Sequence, residues 1–101
     1  MIARLWRGVA RDRANADAYL RHLATSVVPA LGAIEGHRGM RVLERQENGI
    51  EILVMTLWES MEAIRRFAGG NPERAVVEPE ARAVLSEYDD FVRHYEVHEP
   101  R

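Results

Sequence analysis

The chain has 101 residues, the length of one domain with one hydrophobic core. Lys+Arg 14 against Asp+Glu 16 leaves a net charge of -2 at pH 7, so no overall field draws it to nucleic acid or an anionic membrane. It contains no cysteine, which excludes disulfides, thiolate metal sites and a cysteine nucleophile.

The opening MIARLWRG is apolar but broken by Arg4 and Arg7, so it reads neither as a secretory leader nor as a membrane span, and a cytoplasmic location is expected. Residues 2–10 read as a strand with Ala3, Leu5, Arg7 and Val9 on one face and Ile2, Arg4 and Trp6 on the other. Asn15 is the expected N-cap of a first helix, in which Ala16, Tyr19, Leu20, Leu23 and Val27 recur at helical spacing. Pro29 has no backbone donor and clashes with the preceding turn, which predicts a kink or break before the chain leaves through Gly32.

Residues 40–46 alternate apolar and polar, and Asn48-Gly49 signals a hairpin into residues 50–58. That second strand is almost continuously apolar, as a strand buried on both faces must be. Ser60 caps a short helix over 61–68, and Gly69-Gly70 ends it. Asn71-Pro72 has the form of another helix start, Pro79 opens a helix expected to reach Tyr88, and residues 91–98 form the last strand.

This order predicts an α+β, ferredoxin-like βαββαβ sandwich with a four-stranded antiparallel sheet, a single domain over residues 1–101. Helices cover one face only. The other face carries apolar groups as well, so a homodimer with sheets face to face is expected. No basic patch, phosphate-binding glycine loop, hydrolase serine motif or metal-ligand spacing is visible, so no nucleic acid, membrane, metal or cofactor is expected.

IARLWRG, RANADAY, TLWES, FAGGN, AVVEPEA and HYEV together resemble the antibiotic biosynthesis monooxygenase family of the dimeric α/β barrel superfamily. The resemblance implies one of three activities: cofactor-free oxygenation of a planar aromatic phenol, haem breakdown, or ligand binding without chemistry. Haem-degrading members carry an Asn, a Trp and a haem-ligating His where this chain has Arg7, Phe67 and Val77, and a valine cannot ligate iron. Cofactor-free members keep an Asn four residues before a Trp, where this chain has Val54 and Trp58.

The expected site follows from oxygen being a triplet, which reacts readily only with a substrate able to release one electron, such as a deprotonated phenol or anthrone. Such a site needs a dry aromatic pocket, a proton acceptor and a cation for the resulting anion. Trp58, Phe67 and Tyr95 are the candidate substrate-binding rings, although each also fits a core or interface role. Arg7 is the candidate anion partner if its strand face is the covered one, and otherwise forms an edge ion pair. His94 is the candidate base. His94 and His98 cannot share one ion, because residues four apart on a strand are about 13 Å apart. His22 and His37 are assigned to the surface, and Arg4 to a carboxylate partner such as Glu96.

Overall fold

The computed structural model describes residues 1–100. Strand β1 (Ile2–Ala10) lies at the centre of an antiparallel sheet, with β3 (Ile50–Trp58) on one side and β2 (His37–Gln46) beyond it. The β2–β3 turn is made at Asn48 and Gly49, whose φ of 50° and 105° is the positive pair that a tight hairpin requires.

On its other side β1 pairs with two short strands rather than one. β4 (Glu87–Tyr88) meets Gly8 and Val9, and β5 (Arg93–Glu96) meets Ile2 to Leu5. The expected fourth strand is therefore split, giving five strands. The split has a cause. Between the pieces the Asp89 carbonyl accepts the Trp6 indole N–H at 2.8 Å, and residues 90–92 turn outward to bond residues 73–75. These are Ala75 N–H to Asp90 O and Val92 N–H to Glu73 O, both 2.8 Å, around an Arg74–Phe91 bridge. That pairing also accounts for Asn71-Pro72, where the chain forms a turn and bridge in place of the expected helix.

Helix α1 (Arg13–His22) starts earlier than expected, because Asp12 rather than Asn15 is its cap and accepts the Asn15 N–H at 2.9 Å. The helix then loosens into one π turn over Leu23–Val27 and tightens again as α2 (Val28–Gly32), with Pro29 in its first turn. Pro29 thus perturbs the helix without ending it. Helix α3 (Met61–Ala68) is capped by Ser60 Oγ accepting the Ala63 N–H at 3.1 Å. Helix α4 (Pro79–Val84) is shorter than expected: Leu85 already has extended dihedrals, and the chain goes on into β4.

The register puts Ile2, Arg4, Trp6, Val54, Thr56 and Trp58 on the helix-covered face. One buried cluster joins that face to α1 and α4 through Ala16, Tyr19, Ile52 and Leu85, and a second surrounds Trp58 with Leu31, Ala63 and Ile64. The opposite face presents Leu5, Leu43, Leu53, Met55 and Leu57, with Leu43 47% exposed. Among the described residues no helix covers it.

Candidate ligand-binding site

Sheet and helices do not close completely over each other. Between them lies a cleft of about 60 Å³ that opens to solvent. β1 contributes Arg4 and Trp6 to it, β3 Val54 and Thr56, α1 Tyr19 and His22, α3 Phe67, and the segment before α4 Val76, Val77 and Glu78. The lining is mostly apolar, as a small-molecule pocket requires, with a few polar groups converging on it.

Arg4 is the cation of this space. It is only 6% exposed, its Nη2 donates to the carbonyls of Arg74 at 3.0 Å and Pro72 at 3.4 Å, and its Cζ lies 5.4 Å from the centre of the Phe67 ring. Its Nε is buried with no partner. Burial pulls the guanidinium down to about 10, which leaves it charged at neutral pH. Carbonyls satisfy part of its hydrogen bonding, but none of the described carboxylates pairs with it. The partner expected for it, Glu96, instead lies 3.7 Å from the N-terminal amine.

Arg7 is on the other side of the sheet. It is held by Glu51 and, at 2.9 Å, by Glu87, and Arg45 joins Glu51 from β2 at 2.8 Å. These partners raise the proton affinity of Arg7 and lower that of Glu51. Tyr95 is on that same side, opposite Ala3 in the ladder and 48% exposed. Neither residue lines the cleft.

Trp58 and Phe67 occupy successive layers. Phe67 faces the cleft, while Trp58 is 0% exposed and stacks behind it with ring centres 5.9 Å apart and planes at 26°. The indole N–H donates to Thr56 Oγ1 at 2.8 Å, and His37 meets the indole edge-on at 5.0 Å. His94 lies opposite Arg4 in the β1–β5 ladder with Nε2 buried and without a partner. Burial lowers its proton affinity, the Arg4 charge lowers it further, and Glu73 acts in the opposite direction. It adjoins Arg4 but does not line the cleft.

Two more groups line the cleft: Tyr19, from the apolar stripe of α1, and His22, whose place there could be found only in three dimensions. Tyr19 is 4% exposed, and burial followed by the Glu78 charge raises its pKa, so its hydroxyl remains a donor. His22, expected at the surface, has a side chain only 9% exposed, with Nε2 3.2 Å from Glu78 Oε1. Glu80 completes a group of three whose ligand atoms all lie within 4.8 Å of one another. The two carboxylates lie 56 and 58 residues from His22 in the chain, which hides the group from any local spacing rule. No described helix is long and apolar enough to cross a membrane.

A ferredoxin-like sheet with helices on one face and a mostly apolar cleft between the layers defines the fold class of this protein. Residues 10–79 match the model of the antibiotic biosynthesis monooxygenases, and the chain belongs to that family. Similar solved structures include a MhuD variant with two manganese protoporphyrin IX molecules bound per active site, at 20% identity, TM-score 0.65, covering 100% of this chain and 98% of that one. A Deinococcus radiodurans protein described as an antibiotic biosynthesis monooxygenase has 16% identity and TM-score 0.64 over 100% and 96% of the two chains. One from Bacillus cereus has 17% identity and TM-score 0.62 over 99% and 97%. At these identities the likeness is one of fold. A search of curated proteins finds no match.

Proposed function

We propose that the protein is a cytoplasmic homodimer that oxidises a planar, electron-rich aromatic of the phenol, hydroquinone or anthrone type with molecular oxygen and no prosthetic group. One observation carries this reading: an apolar, ring-walled cleft contains a buried arginine without a carboxylate partner. Burying a cation is costly unless an anion compensates it, and an aromatic phenolate supplies the charge and the ring together.

The chemistry needs no outside reductant. Loss of a proton gives a phenolate or enolate, which passes one electron to oxygen. For an anthrone-type substrate, the radical and superoxide combine as a peroxide that takes back the proton, and loss of water from the resulting hydroperoxide leaves a carbonyl where a CH2 stood. One oxygen atom enters the substrate and the other leaves as water. Arg4 takes the anion-holding role considered for Arg7, Phe67 supports the ring, and Trp58 fixes Phe67 from behind. His94, kept neutral beside Arg4, is the proton acceptor, reached by a small shift of β5 or through one water, and Tyr19 is a donor from the opposite wall.

A second reading has its own observation. Val54 lines the cleft with an apolar side chain where cofactor-free relatives of this kind carry a donor amide, which favours a homodimer that holds its ligand without oxidising it. Oxygen uptake by metal-stripped protein over a panel of anthrones, hydroquinones and catechols decides between the two, with heat-denatured protein as control. Uptake that disappears in Arg4→Met supports oxygenation. A flat trace with saturable binding supports the holding role, and absence of both overturns the aromatic reading.

A further inference from the structure

We propose that His22, Glu78 and Glu80 form a binding site for one divalent first-row transition-metal ion at the mouth of the cleft. His22 is positioned for ligation: it ends α1, packs beside Tyr19 with ring centres 6.4 Å apart, and turns Nε2 toward Glu78. Glu78 and Glu80 flank Pro79, and the first turn of α4 brings both carboxylates to the same imidazole. Neither carboxylate has an arginine partner among the described residues, so two negative groups share one histidine at the entrance to an apolar space.

One imidazole and two carboxylates are a donor set for Mn, Fe, Co or Zn in the divalent state. The ligand atoms, now within 4.8 Å of one another, need to close to about 3.5 Å around an ion of that size. Glu80 is exposed and Glu78 half-buried, so rotation of these two side chains supplies the movement while His22 stays fixed. Because His22 and Glu78 both line the cleft, the remaining coordination positions open toward whatever occupies it.

The ion would have an electrostatic task. An anion attracted by Arg4 enters a cleft lined by Glu78, with Glu80 beside it, and their charges repel it; a divalent cation there cancels that repulsion and offers the ligand's outer oxygen a contact. That task rests on the function proposed above; binding of the ion itself does not, and is measured without any organic ligand.

The test uses the full-length protein stripped with EDTA. Co2+ is titrated in and followed by its visible absorption, and Zn2+ by calorimetry, with circular dichroism to confirm that each variant is folded. One ion per chain is expected, with affinity falling roughly tenfold or more in the exposed-site variant Glu80→Gln and further in Glu78→Gln/Glu80→Gln. The imidazole N–H resonance that Co2+ shifts should be absent from His22→Gln. No saturable binding overturns the site. Binding that both glutamate variants retain at full strength overturns it too, since the ion would then reside elsewhere. If the ion binds and no aromatic is bound or consumed, the site stands and the aromatic reading falls.

Discussion

Trp58 and Phe67 stack with their planes 26° apart, yet only Phe67 faces the cleft; Trp58 is sealed behind it at 0% exposure. The two rings therefore carry separable predictions, one for stability and one for ligand contact. Trp58→Ala should cost about 3–5 kcal/mol in urea unfolding, the usual loss for a large aromatic truncated in a core. Phe67→Leu should leave most of the stability intact and weaken an aromatic ligand by about 2–10-fold, the worth of one ring contact. Equal loss of affinity in both variants would remove the distinction.

Arg4 and Arg7 are three positions apart on β1 and so face opposite sides of the sheet. Arg4→Met removes a buried cation but also two hydrogen bonds to carbonyls. These effects oppose each other, so stability should change by less than about 2 kcal/mol, while an anionic ligand should bind roughly 10–100-fold more weakly. Arg7→Ala breaks a partly exposed ion-pair network and should cost no more than about 1 kcal/mol, with cleft affinity unaltered. Thermal melts and titration with an aromatic carboxylate and its uncharged analogue read both effects.

Stability should fall on acidification. His37 and His94 both hold a proton less readily in the fold than at the ordinary value of 6.5, chiefly through burial. Above that pH the imidazoles are neutral in both the folded and the unfolded chain. Below it the unfolded chain takes up protons first, so stability declines as the pH drops through 6.5 toward the depressed folded values. Melting curves between pH 7.5 and 5 should show this decline, and His37→Gln/His94→Gln should reduce it. A rising melting temperature on acidification would contradict the burial of both rings.

The uncovered sheet face carries Leu43 and Leu53 as a cross-strand pair beside Met55 and Leu57. A homodimer closed through this face should dissociate when Leu53 is changed to Glu, because the charge would be desolvated among apolar groups and the neighbouring Arg7, opposite Leu53 in the ladder, is already held by Glu51 and Glu87. Sedimentation velocity of the parent protein and of Leu53→Glu gives the answer directly; a monomeric parent would remove the dimer.

Much of the fold is legible along the chain because its determinants are local. Ser60 and Gly69 bracket α3, Asn48-Gly49 makes the hairpin, and Ile50–Trp58 is apolar enough to identify an interior strand of the sheet. The site is much less legible. Alternation along β1 separates Arg4 and Trp6 from Arg7, but which set is covered depends on where α1 and α4 pack, and that is decided by contacts across the whole chain. The same holds for His22, whose burial comes from the segment 56 residues later. The sequence around 85–92 misleads for another reason: its helical spacing at Ala81, Val84, Leu85 and Tyr88 is overridden when Glu87 and Tyr88 pair with β1.

The outward turn at residues 90–92 has a kinetic consequence. Its backbone bonds to residues 73 and 75 stitch the outer wall of the cleft to the sheet edge, so Val76 and Val77 are not carried on a free flap. Little chain remains to be ordered when a ligand arrives, and less of its binding free energy is spent on that ordering. Stopped-flow quenching of Trp6, which lines the same space, should therefore follow a single exponential whose rate rises linearly with ligand concentration.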